Sequence, residues 1–254
     1  MIDMTEERTK SAAFLNANTI AIIPAYNEAS RITYVLKNCI KYVDKVIVID
    51  DGSSDSTSEK AKSAGAFVLS HKINKGKGTA LRTGIEFIRQ FSPQIVLFLD
   101  ADGQDNPDFI PDLIKPIVDN EADMVLGSRF VSGGKPEVPS YKVLGNKILT
   151  IFMNLMTGFS YNVRESQCGF RAIRYEKLRE LNISARGFEV ESEMLLEAFK
   201  NNLRVIEVPI KENLRFDAIE KGTTIFDGAL IPFYLLIKQL FKFIKNRSQK
   251  KSLS

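Results

Sequence analysis

The stretch VLFLDADGQDNPDF, residues 96–109, passes from four apolar side chains directly into three carboxylates, Asp100, Asp102 and Asp105. Val96, Leu97, Phe98 and Leu99 suit a strand buried on both faces, as parallel sheets require. Behind them, Asn106 is placed to cap a helix and Pro107 to occupy its first position. The segment therefore reads as strand, loop, helix. Carboxylates this crowded repel one another unless something positive lies between them. Asp100 and Asp102, two apart in an extended segment, project to one side and can share a divalent cation, with Gln104 adding a neutral oxygen. Asp105 and Asp108 suit the N-terminus of the following helix instead.

Working outward, the same alternation recurs on both sides. Strands are expected at 19–25, 45–51, 66–70, 94–100 and 123–129, the last closing the series. Helices are expected at 28–43, over SDSTSEKAKSAG, and at 78–91. Strands spaced by helices of this length argue a parallel doubly wound sheet. After a Gly/Ser/Pro-rich loop at 131–140, helices are expected at 141–159 and 187–202, a strand returning to the sheet at 203–210, and a final helix at 225–247.

The bulk composition excludes several classes. A chain of 254 residues with 44% hydrophobic and 26% charged residues can bury a full core in one domain. The balance of 35 Lys+Arg against 31 Asp+Glu is too even to argue nucleic acid. Cys39 and Cys168 have no metal-site spacing and His71 is the one histidine, which argues against zinc or a Cys/His nucleophile and fits a reducing cytosol. The first residues lack the apolar core of a signal peptide and read as a flexible leader, 1–18. No run reaches the roughly 18–20 apolar residues of a membrane span.

Three polar clusters end three expected strands: PAYNE (24–28), DDGSSDST (50–57) and DADGQ (100–104). In an open parallel sheet such clusters meet in one crevice beyond the carboxyl ends of the strands. With NKGKGTALRTG and ESQCGFRAIR they resemble, in order, the motifs of family 2 glycosyltransferases, and most of all the polyprenyl-phosphate (dolichyl-phosphate) mannosyl- and glucosyltransferases. The resemblance covers about residues 19–224. It implies an α/β GT-A (Rossmann-like) fold, mostly parallel sheet with helices on both faces, as the catalytic domain 19–224, followed by an amphipathic helix and basic tail, 225–254. It also implies a nucleotide-sugar donor of the GDP-mannose or UDP-glucose type, Mn²⁺ or Mg²⁺, and inversion at the anomeric carbon. On this resemblance Pro24, Ala25, Tyr26 and Glu28 border the nucleotide, and Asp50 and Asp51 contact base or ribose. Asp102 and Gln104 hold the metal with Asp100 beside them. Lys77 and Arg82 either face the diphosphate or lie in solvent.

For the acceptor, Arg129 matches an arginine that binds the lipid phosphate in the polyprenyl-phosphate enzymes. Lys142 and Asn146 fall where those enzymes usually carry arginine and serine, and Arg215 and Lys221 resemble a basic loop closing over the phosphates. Glu193 matches a family glutamate near the acceptor and is the candidate general base should the acceptor be a saccharide hydroxyl. Glu191 is read as a helix-face charge, and Glu165 stands where the family often has aspartate. In ALIPFYLLIKQLFKFIK a stripe of Lys238, Lys242 and Lys245 against an apolar remainder suits an anionic membrane surface, or else packing on the domain or a partner subunit. The expected setting is therefore peripheral, on the cytoplasmic face of a membrane, with an integral-membrane partner or a second copy as further candidates. Rival classes lack their signatures. A nicotinamide enzyme would carry GxGxxG, a P-loop NTPase GxxxxGK[ST], and a sugar nucleotidyltransferase a Gly-rich, Arg-bearing first loop. The intact DADGQ argues against a catalytically inactive membrane-binding relative.

Overall fold

A computed structural model describes residues 17–131 and 140–211, with side chains in the 140s described from Val143 onward. The expectations for the leader, Lys142, Arg215, Lys221 and the final helix concern positions outside these. The strands are β1 (Thr19–Ala25), β2 (Lys45–Asp50), β3 (Phe67–Ser70), β4 (Ile95–Phe98), β5 (Met124–Ser128), β6 (Arg171–Arg174) and β7 (Val205–Pro209). They form one sheet in the order β3-β2-β1-β4-β6-β5-β7. β1 pairs in parallel with β2 and β4, and β5 with β7.

The sheet is mixed rather than wholly parallel, and β5 does not continue the series directly. β6, which the sequence reading left unassigned, inserts antiparallel between β4 and β5, with Ala172 opposite both Leu97 and Val125. Its four residues begin and end in arginine, and the buried apolar run that marks the other central strands is missing from it.

Helices cover both faces, which explains why β1 and β4 are apolar at successive positions. Ile20, Ile22, Ile49, Val96 and Phe98 pack on one side with α3 (Lys77–Phe87), α5 (Ser140–Met156) and α7 (Val190–Lys200). Ala21, Ile23, Val48, Ile95 and Leu97 pack on the other with α1 (Ile32–Cys39), α2 (Thr57–Ser63) and α4 (Ile110–Val118). A short α6 (Tyr175–Leu178) follows β6. α1 starts later than its apolar pattern suggested because residues 28–31 form a turn, the Glu28 carbonyl accepting from the amides of Arg31 and Ile32. Gly84 lets α3 lie close on β1: a Cβ there would sit 2.5 Å from a methyl carbon of Ile22.

Candidate active site

The carboxyl ends of β1, β2 and β4 open on one side of the sheet, and the loops after them are laced together. The Asn27 amide donates to Ser53 Oγ, the Ser54 amide to Asn27 Oδ1 and the Glu28 amide to Thr57 Oγ1. PAYNE and DDGSSDST thus form one rigid rim, with Tyr26 exposed on it and the Glu28 carboxylate held by Arg31 at 3.1 Å. Asp50 Oδ1 accepts the Ser53 amide.

Beyond β4, Asp100 meets Lys77, the first residue of α3. Its two carboxylate oxygens lie 2.7 and 2.8 Å from Nζ, and Glu191 Oε1 lies 2.7 Å from the same nitrogen. Burial disfavours the Lys77 ammonium, but the two carboxylates outweigh it and raise its pKa. Gly169, in the turn before β6, leaves the space this pair occupies: a Cβ would come within 2.9 Å of Asp100 Oδ2 and 3.0 Å of Lys77 Nζ. Pro24, Lys77, Asp100, Gly169, Arg171 and Glu191 line a cavity of about 10 Å³, room for about one water molecule. Glu191 Oε2 is buried there and accepts no hydrogen bond among the described residues.

Asp102 and Asp105 lie next to this pair. Burial, then the charge of Asp100, pushes the Asp102 carboxyl up to about 6, against the pull of the Gln104 amide and Lys77. Asp105 is raised well above the carboxylate range by burial and by Asp100 and Asp102. It does not cap the helix, because its Oδ2 accepts the Asp100 amide and Asn106 caps instead. The Asp102 carboxylate faces a turn that Gly103 permits at φ 78°. Such raised values mark an anionic pocket with less positive charge than its carboxylates call for. No three His, Cys, Asp or Glu side chains among the described residues form an all-protein cage. With Asp100 engaged by Lys77, Asp102 is the carboxylate left to a cation, and one or two carboxylates suit a hard cation completing its shell with water and phosphate.

A second cluster forms across the sheet. Glu165 is fully buried and accepts from the Arg129 amide and Nε, both at 2.8 Å, from Arg129 Nη2, and from Asn146 Nδ2 at 3.0 Å. Arg129 and Asn146, expected on one acceptor site, therefore do converge, through a carboxylate the sequence reading left open. Cys168 lies between the clusters. Burial raises its thiol pKa well above the ordinary value, and the charges of Glu165 and Arg129 act on it together with those of Asp105 and Arg171.

A family model described as glycosyl transferase family 2 matches residues 20–181. The chain belongs to this family. It is 33% identical over 244 residues to the UDP-N-acetylglucosamine--dolichyl-phosphate N-acetylglucosaminyltransferase of Methanococcus voltae, covering 88% of this chain and 96% of that one. It is 30% identical over 214 residues to a dolichol-phosphate mannosyltransferase of Pyrococcus furiosus, covering 81% of this chain and 60% of that one. Glucosyl-3-phosphoglycerate synthase from Mycobacterium tuberculosis, crystallised with Mn²⁺ and UDP-glucose, shares the fold at TM-score 0.70 and 24% identity, covering 92% of this chain and 81% of that one.

In this glycosyltransferase three side chains lie otherwise than the sequence suggested. Glu193, the expected base, is buried and points away from the cavity. Its Oε2 accepts the amides of Ser184 and Ala185, and its Oε1 the Ser184 hydroxyl. Glu191, read as a helix-face charge, is the glutamate that faces Lys77. Asp51 is likewise turned inward, accepting the Lys75 and Gly76 amides and His71 Nδ1, so Asp50 is the carboxylate of the pair nearer the rim. Arg82 has its Nε buried without a hydrogen-bond partner among the described residues. Arg171, absent from the expected set, is fully buried and donates to the carbonyls of Cys168 and Glu191, fixing the cavity wall.

Proposed function

We propose that this glycosyltransferase moves one hexose from a UDP- or GDP-sugar to a polyprenyl phosphate, with inversion and with Mn²⁺ or Mg²⁺. The named relatives with dolichyl-phosphate activities support the acceptor class. The observation that carries the reading is the engagement of Glu193, the candidate base, by loop amides, with its neighbour Glu191 held by Lys77. A saccharide hydroxyl needs a base to take its proton. A phosphate monoester, with a second pKa near 6, arrives already largely ionised.

In this scheme Asp50, Tyr26 and Glu28 border the nucleotide, and Asp102 with Gln104 would hold the cation beside Asp100. The cation, when bound, neutralises the departing diphosphate. Lys77 and Glu191 line the floor under the hexose. Arg129 is oriented by Glu165, whose Oε1 accepts from Nε and Nη2 of the guanidinium while Oε2 accepts the Arg129 amide, holding the group for a phosphate. A phosphate oxygen then attacks the anomeric carbon from the face opposite the diphosphate, and the nucleoside diphosphate departs.

Membrane-surface association follows from the acceptor and is supported by α5. Leu144, Ile148, Ile151 and Leu155 form an exposed stripe on the helix whose other face carries Asn146. No helix among the described residues is long and apolar enough to cross a membrane. The test is transfer of label from GDP-mannose, UDP-glucose or UDP-GlcNAc into short-chain polyprenyl phosphate with Mn²⁺, with EDTA and Asp102→Ala as controls. Metal-dependent label in the organic phase is the expected result. Donor binding without labelled lipid would move the acceptor to a saccharide.

A further inference from the structure

His71, the chain's one histidine, takes no part in the chemistry above, yet its side chain is only 8% exposed. It follows β3, and its ring bridges two elements. Nδ1 lies 2.6 Å from Asp51 Oδ1 at the end of β2, and Nε2 lies 3.0 Å from Thr83 Oγ1 on α3. An ionised carboxylate only accepts, so Nδ1 carries a proton. Thr83 Oγ1 is also 3.1 Å from the Thr79 carbonyl. With the ring proton on Nδ1, Nε2 of the neutral imidazole accepts from the Thr83 hydroxyl, and the ring is joined at both ends.

Asp51 is the centre of this arrangement. Besides His71 it accepts the Lys75 amide at 3.0 Å and the Gly76 amide at 2.8 Å. It thereby gathers the turn 72–76 from inside. The turn lies flat on the loop after β2: a Cβ on Gly52 would stand 2.5 Å from the Ile73 carbonyl carbon. It ends at Gly76, at φ 90°, where a Cβ would strike the Arg186 carbonyl oxygen at 2.4 Å. The next residue is Lys77, whose ammonium must reach Asp100 and Glu191 together. Thr83, on the same helix, gives His71 a second hold on the element that carries Lys77.

We propose that His71 is a positioning residue for the donor site: by clasping Asp51 and Thr83 it fixes the turn and helix start that aim Lys77 at the donor. The inference rests on the proposed reading in which Lys77 faces the donor. It assigns Asp51 to the clasp rather than to the base or ribose.

The test compares His71→Asn, His71→Gln and His71→Ala. Asparagine places an amide N–H where Nδ1 meets Asp51, whereas glutamine reaches only toward Thr83. Binding of UDP-GlcNAc and GDP-mannose with Mn²⁺ is measured by calorimetry, and the Gly76 and Lys77 amide resonances by NMR. Alanine and glutamine are expected to weaken donor binding about tenfold and shift the Gly76 resonance, because small misplacements in such sites cost tenfold or more. Asparagine is expected to stay within about threefold of the parent. The clasp is overturned if all three bind donor like the parent, or if glutamine outperforms asparagine, which would make packing volume the cause. Lys77→Met separates the two readings. If it binds donor like the parent, the donor reading of Lys77 falls. If it loses donor and His71→Ala does not, the clasp alone falls.

Discussion

Replacing Lys77 by methionine strands two carboxylates. The Lys77, Glu191 and Asp100 side chains are 14%, 6% and 32% exposed, so Asp100 can turn to water while Glu191 cannot. Breaking a buried pair by removing one partner costs about 3–5 kcal/mol. The expected loss at pH 7 is therefore about 3–5 kcal/mol, or roughly 6–20 °C in Tm for a domain of this size. Adding Glu191→Gln removes the stranded charge and should recover most of it. Urea denaturation of the single and double variants is the assay. A loss under about 1 kcal/mol at pH 7, or no recovery in the double variant, would refute the electrostatic account of the cluster.

The raised Asp102 and Asp105 pKa values make the metal-free protein more stable toward pH 5 than at pH 7.5, because an acid whose folded pKa is raised destabilises as pH climbs through it. Mn²⁺ should raise Tm at pH 7.5 and do so less at pH 5, read by calorimetry. Glu193→Gln keeps one acceptor oxygen for the 184–185 loop, so turnover should fall less than about tenfold while Tm drops; a general base would cost about 10²–10⁴-fold. Gly84→Ala should destabilise by about 1–3 kcal/mol in urea, the overpacking penalty of a methyl driven against Ile22.

DADGQ was legible because an apolar strand cannot end in unpaired carboxylates without a partner, and its crevice follows from the parallel strands beside it. The choice between Glu191 and Glu193 was not legible. α7 is buried from Val190 through Ala198, on every side, so no periodicity tells which glutamate faces the cavity. Glu165 was obscure for a related reason: carboxylates are normally exposed, and only the fold reveals the Arg129 and Asn146 donors that let it be fully buried. Asp51 looked like its neighbour Asp50, since adjacent residues at a strand end point in opposite directions and sequence does not say which direction is the crevice.

The insertion of β6 between β4 and β5 also sets an order of events during synthesis. β4 leads to the Asp100–Asp102 turn and β5 to Arg129, yet these strands do not pair; Ala172, emerging far later, is what registers Leu97 against Val125. A nascent chain can complete the β1, β2 and β4 pairings while its two reactive ends still lack a fixed separation. That separation is a long-range contact made late, when loop closure is most demanding. Stalled or truncated chains ending before residue 171 would therefore hold the Asp100–Asp102 turn and the Arg129 cluster without Arg171, Glu191 or a fixed distance between the two.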